Sequence, residues 1–194
     1  METARRKVIV ITDGDKIAKK AVEQVARRVS GRCISLSAGN PTPLTGPEIV
    51  ELIKAAKYDP VLVMLDDKGS SKKGKGEKAL EYIAKHPDIE ILGVVAVASN
   101  TDHTQGVVVD NSITKEGEVV TQAVDKHGNP KVFNGAVLEG DTVDILNELD
   151  IPVIIGTGDT GKMDGADSLK KKVPITTKAV EEILFRSGYK YGHY

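Results

Sequence analysis

A mostly parallel α/β sheet, covered by helices on both faces, is the fold this sequence predicts. Three observations carry the prediction. Apolar runs of strand length recur at 7–12, 60–65 and 89–99 with almost no polar interruption, as strands buried on both faces require. Stretches with helical spacing of apolar residues separate them. The runs end in acid or turn residues, as parallel strands do where they hand over to a helix. The expected architecture is three-layered and Rossmann-like or Toprim-like, with a β-hairpin inserted after the fourth strand.

The elements follow in order. The run VIVI within 7–12 ends in Thr12-Asp13-Gly14-Asp15, and 15–29 carries a helical stripe at Ile17, Ala21, Val22, Val25 and Val29. Ser30-Gly31 stops that helix, and 32–37 reads as a second strand. Gly39-Asn40-Pro41-Thr42-Pro43 is a loop on turn chemistry. Thr45-Gly46-Pro47-Glu48 is a capping box with proline in the first turn, and Ile49, Val50, Ile53 and Ala56 form the buried stripe of the helix it opens. The third strand, 60–65, ends at Asp66-Asp67, and a basic glycine-rich loop leads to a helix over 77–85. The fourth strand is 89–99. Alternation over 106–113 and 118–124, joined around Lys115-Glu116-Gly117, predicts the hairpin, which elaborates 106–125. A short helix over 142–149, a buried strand over 151–156, a glycine-rich loop over 157–172 and a helix over 174–186 complete the reading. One domain spanning 1–194, with a tail from 187, accommodates all of this.

Composition narrows the function classes. Hydrophobic residues make up 40% and charged residues 28%, and 27 basic against 28 acidic residues leave a net charge of −1. That balance gives no general attraction to nucleic acid, and no nucleic-acid partner is expected. Cys33 is the single cysteine, so no internal disulfide can form, and its apolar surroundings suggest an inert buried thiol. His86, His103, His127 and His193 show no metal-ligand spacing. No apolar run approaches the ~20 residues that span a bilayer, and the start of the chain is too short in apolar residues for a signal peptide. The expectation is synthesis in the cytosol, with no direct membrane insertion.

In an open parallel sheet, ligands bind beyond the carboxyl ends of the strands. Asp13 and Asp15 follow the first strand, Asp66 and Asp67 the third, and Asp159 the last. Carboxylates gathered in one place repel unless a cation neutralises them, and an all-oxygen set suits Mg²⁺. These five are the candidate metal ligands, although Asp15 also fits a plain helix N-cap. Lys68, Lys72 and Lys73 form a candidate anion-binding loop, or a solvated one. Gly156-Thr-Gly-Asp-Thr-Gly161 matches a dinucleotide fingerprint in letters only, because no helix begins beside it and Asp159 would repel phosphate. Neither Cys33 nor any serine stands in a nucleophile motif.

The stretches KVIVITDGD, GRCISLSAGNPTPLTGPEIVELIKAA, YDPVLVMLDD, HPDIEILGVVAVAS, GDTGKMDGAD and PITTKAVEEIL run in order through almost the whole chain. On these the sequence resembles the AE-type stage V sporulation proteins of spore-forming Firmicutes; the basic loop and 102–134 match least. The resemblance implies an accessory role in sporulation or germination, within the machinery that moves dipicolinic acid with Ca²⁺ into or out of the spore. It implies other stage V sporulation A proteins as partners, dipicolinate as a ligand and a peripheral place at the spore inner membrane. It brings no catalytic residues. A more distant likeness is to the Toprim fold of primases and topoisomerases, where a glutamate and a D-x-D hold Mg²⁺; it implies a Mg²⁺-dependent phosphoesterase or nuclease as the alternative. This chain has Asp13 in place of the glutamate and adjacent acids in place of the spaced pair. Docking to a partner is expected through the hairpin edge or through Tyr189, Tyr191 and Tyr194, since tyrosine suits interfaces.

Overall fold

The computed structural model describes residues 4–70, 72–101, 104–133 and 135–190. Its elements are β1 (Arg6–Ile11), α1 (Lys16–Arg28), β2 (Arg32–Cys33), α2 (Gly46–Ala55), β3 (Val61–Met64), α3 (Lys75–Lys85), β4 (Ile89–Val97), β5 (Val107–Val108), β6 (Asn111–Ile113), β7 (Val119–Val120), β8 (Val137–Leu138), β9 (Ile154–Thr157) and α4 (Pro174–Arg186). Seven strands form one sheet in the order β2-β3-β1-β4-β9-β6-β7, and only the β6–β7 pair in it is antiparallel.

The connections obey one handedness. From β1 the chain moves toward one edge through α1, and from β2 it returns through α2 and α3. Right-handed crossovers therefore put α1 on one face and α2 and α3 on the other. The two cores agree with this. Val22 and Val25 of α1 pack with Val180 and Ile183 of α4 over Ile9, Ile11 and Val95. Ile49 and Ile53 of α2 pack with Leu80 and Ile83 of α3 over Val8, Val10 and Val63. Alternating residues of β1 thus serve opposite cores, and each fully buried branched side chain contributes roughly 1.5–3 kcal/mol. Both cores are aliphatic: the chain has no tryptophan, and its two phenylalanines, Phe133 and Phe185, are 96% and 84% exposed.

Local sequence signals explain the helix ends. Asp15 caps α1 by accepting from the Ile17 and Ala18 amides, each at 2.8 Å. Thr45 and Glu48 form the capping box of α2. The cap residue of α4, Val173, offers no side-chain acceptor. Asp167, wholly buried in the preceding loop, replaces it. Its carboxylate accepts from the amides of Ile175 (2.8 Å), Thr176 (3.0 Å) and Gly161 (2.8 Å) and from the Thr176 hydroxyl (2.5 Å).

Three segments depart from the expected reading. Only Arg32 and Cys33 of the second strand pair with β3; Ser35–Ser37 tighten into a 3₁₀ turn whose Ser37 hydroxyl accepts the Met64 amide at 3.0 Å. The stretch Asp144–Glu148 is likewise a 3₁₀ turn, shorter than the expected helix. The long hairpin over 106–125 is divided: β5 pairs with β8 in a separate ribbon, while β6 lies parallel to β9 and antiparallel to β7.

Replacing Asp167 with alanine orphans four donors at once and should lower stability by roughly 3 kcal/mol. Asparagine should not rescue it, because its amide would face the Gly161 N–H. Urea melts of the two variants against the parent check both statements.

Candidate functional site

Adjacent strands whose following helices cover opposite faces leave a crevice at their carboxyl ends. Here the two strands are β1, followed by α1, and β3, followed by α3. Their last residues pair in register, Ile11 with Met64. Above them lies a cleft of about 350 Å³ lined by Asp13, Asp15, Asp66, Asp141, Asp159 and Lys68, among others.

Close backbone contacts build the crevice. A Cβ on Gly14 would lie 2.5 Å from the Gly39 carbonyl oxygen and 3.0 Å from Cβ of Asp66, so the end of β1, the loop before α2 and the end of β3 meet where only glycine fits. Thr42, fully buried, fastens that loop to β3: its hydroxyl accepts the Asp66 amide at 2.8 Å and its own amide donates to the Asp66 carbonyl at 2.9 Å. Thr12 ties β1 to β4 by accepting the Val97 amide at 2.9 Å. Ser99, past the end of β4, accepts the Asp141 amide at 2.9 Å and so draws that aspartate into the cleft.

The carboxylates differ in environment. Burial, then the charge of Asp15, pushes Asp13 up to about 7. Burial also lifts Asp66 to about 7, assisted by a hydrogen bond and charge from Asp141 and opposed by the Lys68 amide. Neighbouring carboxylates disfavour each other's charge. The Lys68 amide holds Asp66 at 2.8 Å and the next amide, Gly69, holds Asp141 at 2.7 Å, so one turn clamps both members of the pair. Asp15 behaves oppositely. Burial works against its charge, but Lys162 Nζ at 2.5 Å and the α1 amides hold it below the usual carboxylate range. Burial raises Asp159, against the pull of Lys162 and Lys126.

Asp13, Asp15, Asp66 and Asp159 are thus brought to one cleft, and Asp67 is not. Successive strand residues face opposite ways. The Asp67 carboxylate turns to α3, where it accepts from the Gly76 amide at 2.7 Å and from Glu77 at 3.1 Å, in place of the cap that Gly74 cannot supply. Asp66 and Asp67 therefore face apart, as their adjacency in sequence implies, and do not form the acid pair of a Toprim site. Of the basic residues, Lys68 lines the cleft, Lys73 pairs with Glu81 at 2.5 Å, and Lys72 is exposed outside it. Tyr189 packs half-buried against the α1/α4 core; Tyr191 and Tyr194 lie outside the described residues. Cys33 is half-buried and burial pushes its thiol up to about 12, which leaves it unreactive. Asp141 escaped the sequence reading. Its only signal is Gly140-Asp141 after the short apolar run of β8, the same run-then-Gly-Asp pattern that ends β1 in Gly14-Asp15.

Residues 7–187 match the family model for Stage V sporulation protein AE1. The chain belongs to this family. It is therefore a sporulation-related protein. It is also 24% identical over 196 residues to catabolite control protein A of Staphylococcus xylosus, an alignment covering 94% of this chain and 54% of that protein, so the chain spans about half of that relative's length. No solved structure matches. Among the described residues no helix is long and apolar enough to cross a membrane.

The raised carboxyls predict a pH signature. An acid whose folded pKa lies near 7, against 3.8 unfolded, contributes stability that is complete below about pH 4 and is lost as pH rises through 7. Asp66→Asn imitates the protonated acid and keeps its bonds to Lys68 and Asp141. Relative to the parent it should be unchanged at pH 4 and more stable by roughly 1–2 kcal/mol at pH 8, as read from urea melts across that range.

Proposed function

We propose that this chain is a non-catalytic component of the sporulation apparatus that binds calcium dipicolinate in the cleft beyond β1 and β3. The observation that supports the reading is that the consecutive amides of Lys68 and Gly69 hold the carboxylates of Asp66 and Asp141 on the wall of one acid-lined cleft. Free dipicolinate is a dianion and would be repelled by the five aspartates of this cleft. Its calcium chelate presents a cation with open coordination positions instead. Among the described residues no three acidic or imidazole groups are placed to hold a metal ion on their own. A bare ion would therefore bind weakly, whereas a chelate brings its own donors and needs only one or two more from the protein. Lys68 and Asn40 on the same cleft give the ring carboxylates a polar counterpart, and about 350 Å³ is sufficient for a ligand of this size.

The Mg²⁺-dependent phosphoesterase reading is weaker. It needs a tightly placed second acid beside Asp66, and Asp67 is committed to α3. Docking to other stage V sporulation A proteins would bring the chain to the spore membrane.

Thermal melts with Ca²⁺ alone, dipicolinate alone and the two together test the proposal. The mixture should raise Tm by about 5–10 °C at a hundredfold excess over Kd, each component alone should do little, and Asp141→Asn should remove most of the rise. An equal shift with dipicolinate alone would refute it. Incubation with single- and double-stranded DNA or RNA in Mg²⁺ should yield no cleavage; cleavage that vanishes in Asp66→Asn would establish the other reading.

A further inference from the structure

A groove of about 450 Å³ runs along the open side of β2, between that edge and the carboxyl end of α2. β2 is the outermost strand on its side of the sheet. The Arg32 and Ile34 amides both donate inward, to the carbonyls of Pro60 and Leu62 at 2.9 Å, so by strand alternation the main-chain groups of Cys33 point outward. Ile34, Leu52 and Ala56 make the lining apolar, and Leu36 stands 64% exposed at its lip.

The rim is cationic. The Arg32 guanidinium lies 5.0 Å and the Lys57 ammonium 5.4 Å from the centre of the Tyr58 ring, so a single aromatic side chain gathers two like charges. Among the described residues neither is in an ion pair. Lys19 and Arg27 of α1 add positive potential at Cys33, and Glu23, which accepts from the Ser35 hydroxyl at 2.6 Å, opposes them. In a chain of net charge −1 this is a local concentration of cations around an apolar slot.

We infer that this groove docks an extended segment of a protein partner in which an apolar side chain is flanked by carboxylates. The slot takes the side chain, Cys33 offers one outward N–H and C=O to the segment's backbone, and Arg32 and Lys57 receive the acids. A second copy of this chain fits poorly. A two-fold contact sets the same patch against itself, so Arg32 and Lys57 would meet their own equivalents. The groove is separate from the acid cleft, and the inference does not depend on what that cleft binds.

Selection of a random-peptide library on the immobilised full-length protein tests it, with enriched peptides measured by fluorescence anisotropy. Binders should carry Asp or Glu beside Leu, Ile or Phe and should weaken as salt is raised. The double variant Arg32→Glu/Lys57→Glu should lose at least about tenfold in affinity, and Asp66→Asn should lose none. Lys57→Glu alone, at an exposed position, gives the same direction should the double variant fold poorly. Enriched sequences that are neutral or basic, or affinities indifferent to charge reversal, overturn the inference. So does a dimer in sedimentation that Leu36→Asp dissolves, which would make the groove a contact between copies.

Discussion

The end of β1, the loop before α2 and the end of β3 meet at Gly14 with no room for a Cβ, and the arrangement of the whole cleft depends on that contact. Any side chain there would push the end of β1 away from Gly39 and Asp66. The strands on either side could still pair lower down, because Val8 to Ile11 are fixed by register with β3 and by both cores. Their upper ends would splay, and the acids would separate. Thr42 and Thr12 act in the same sense, each satisfying a buried amide at a strand end, and Ser99 fixes the loop that carries Asp141. The hydrophobic layers make the sheet, and a few buried hydroxyls and one missing Cβ decide the shape of its rim.

Charge placement at that rim runs against stability. Asp13 and Asp66 sit among other acids and carry raised pKa values, whereas Asp15, on the same cleft, is held below the usual range by Lys162 and the α1 amides. The contrast separates acids that hold the fold from acids left with unmet charge. Fold-holding acids accept helix-end amides, as Asp167 does for α4 and Asp67 for α3. Unmet acids face a common space. Proteins retain such an arrangement where function outweighs the loss.

The legible parts of this fold are those whose partners are dictated by pattern. β1, β3 and β4 are continuous apolar runs that only a doubly covered sheet can bury; the four α-helices carry visible apolar stripes, and α1 and α2 carry visible caps as well. Asp13, Asp15, Asp66 and Asp159 could be placed at strand ends for the same reason. The region from 106 to 141 resisted, because alternation says that a segment is extended without naming its neighbour. β5 chose β8, which is two residues long, over the strand next in sequence. Asp141 was hidden with it, since its position comes from Ser99 and from the Gly69 amide of the basic loop rather than from any strand of its own. Ser35 to Ser37 read as strand from composition, but β3 has no free amide left for them once Ser37 takes Met64.

The peptide unit joining Asp66 to Asp67 belongs at once to the cleft and to α3. One carboxyl faces the crevice while the next holds the first turn of the helix on the opposite layer. The two side chains turn independently, but they share one stretch of main chain. A shift of that main chain at Asp66 would carry with it the acceptor that holds the first amides of α3. The floor of the crevice and the seat of a helix lie on either side of one peptide bond.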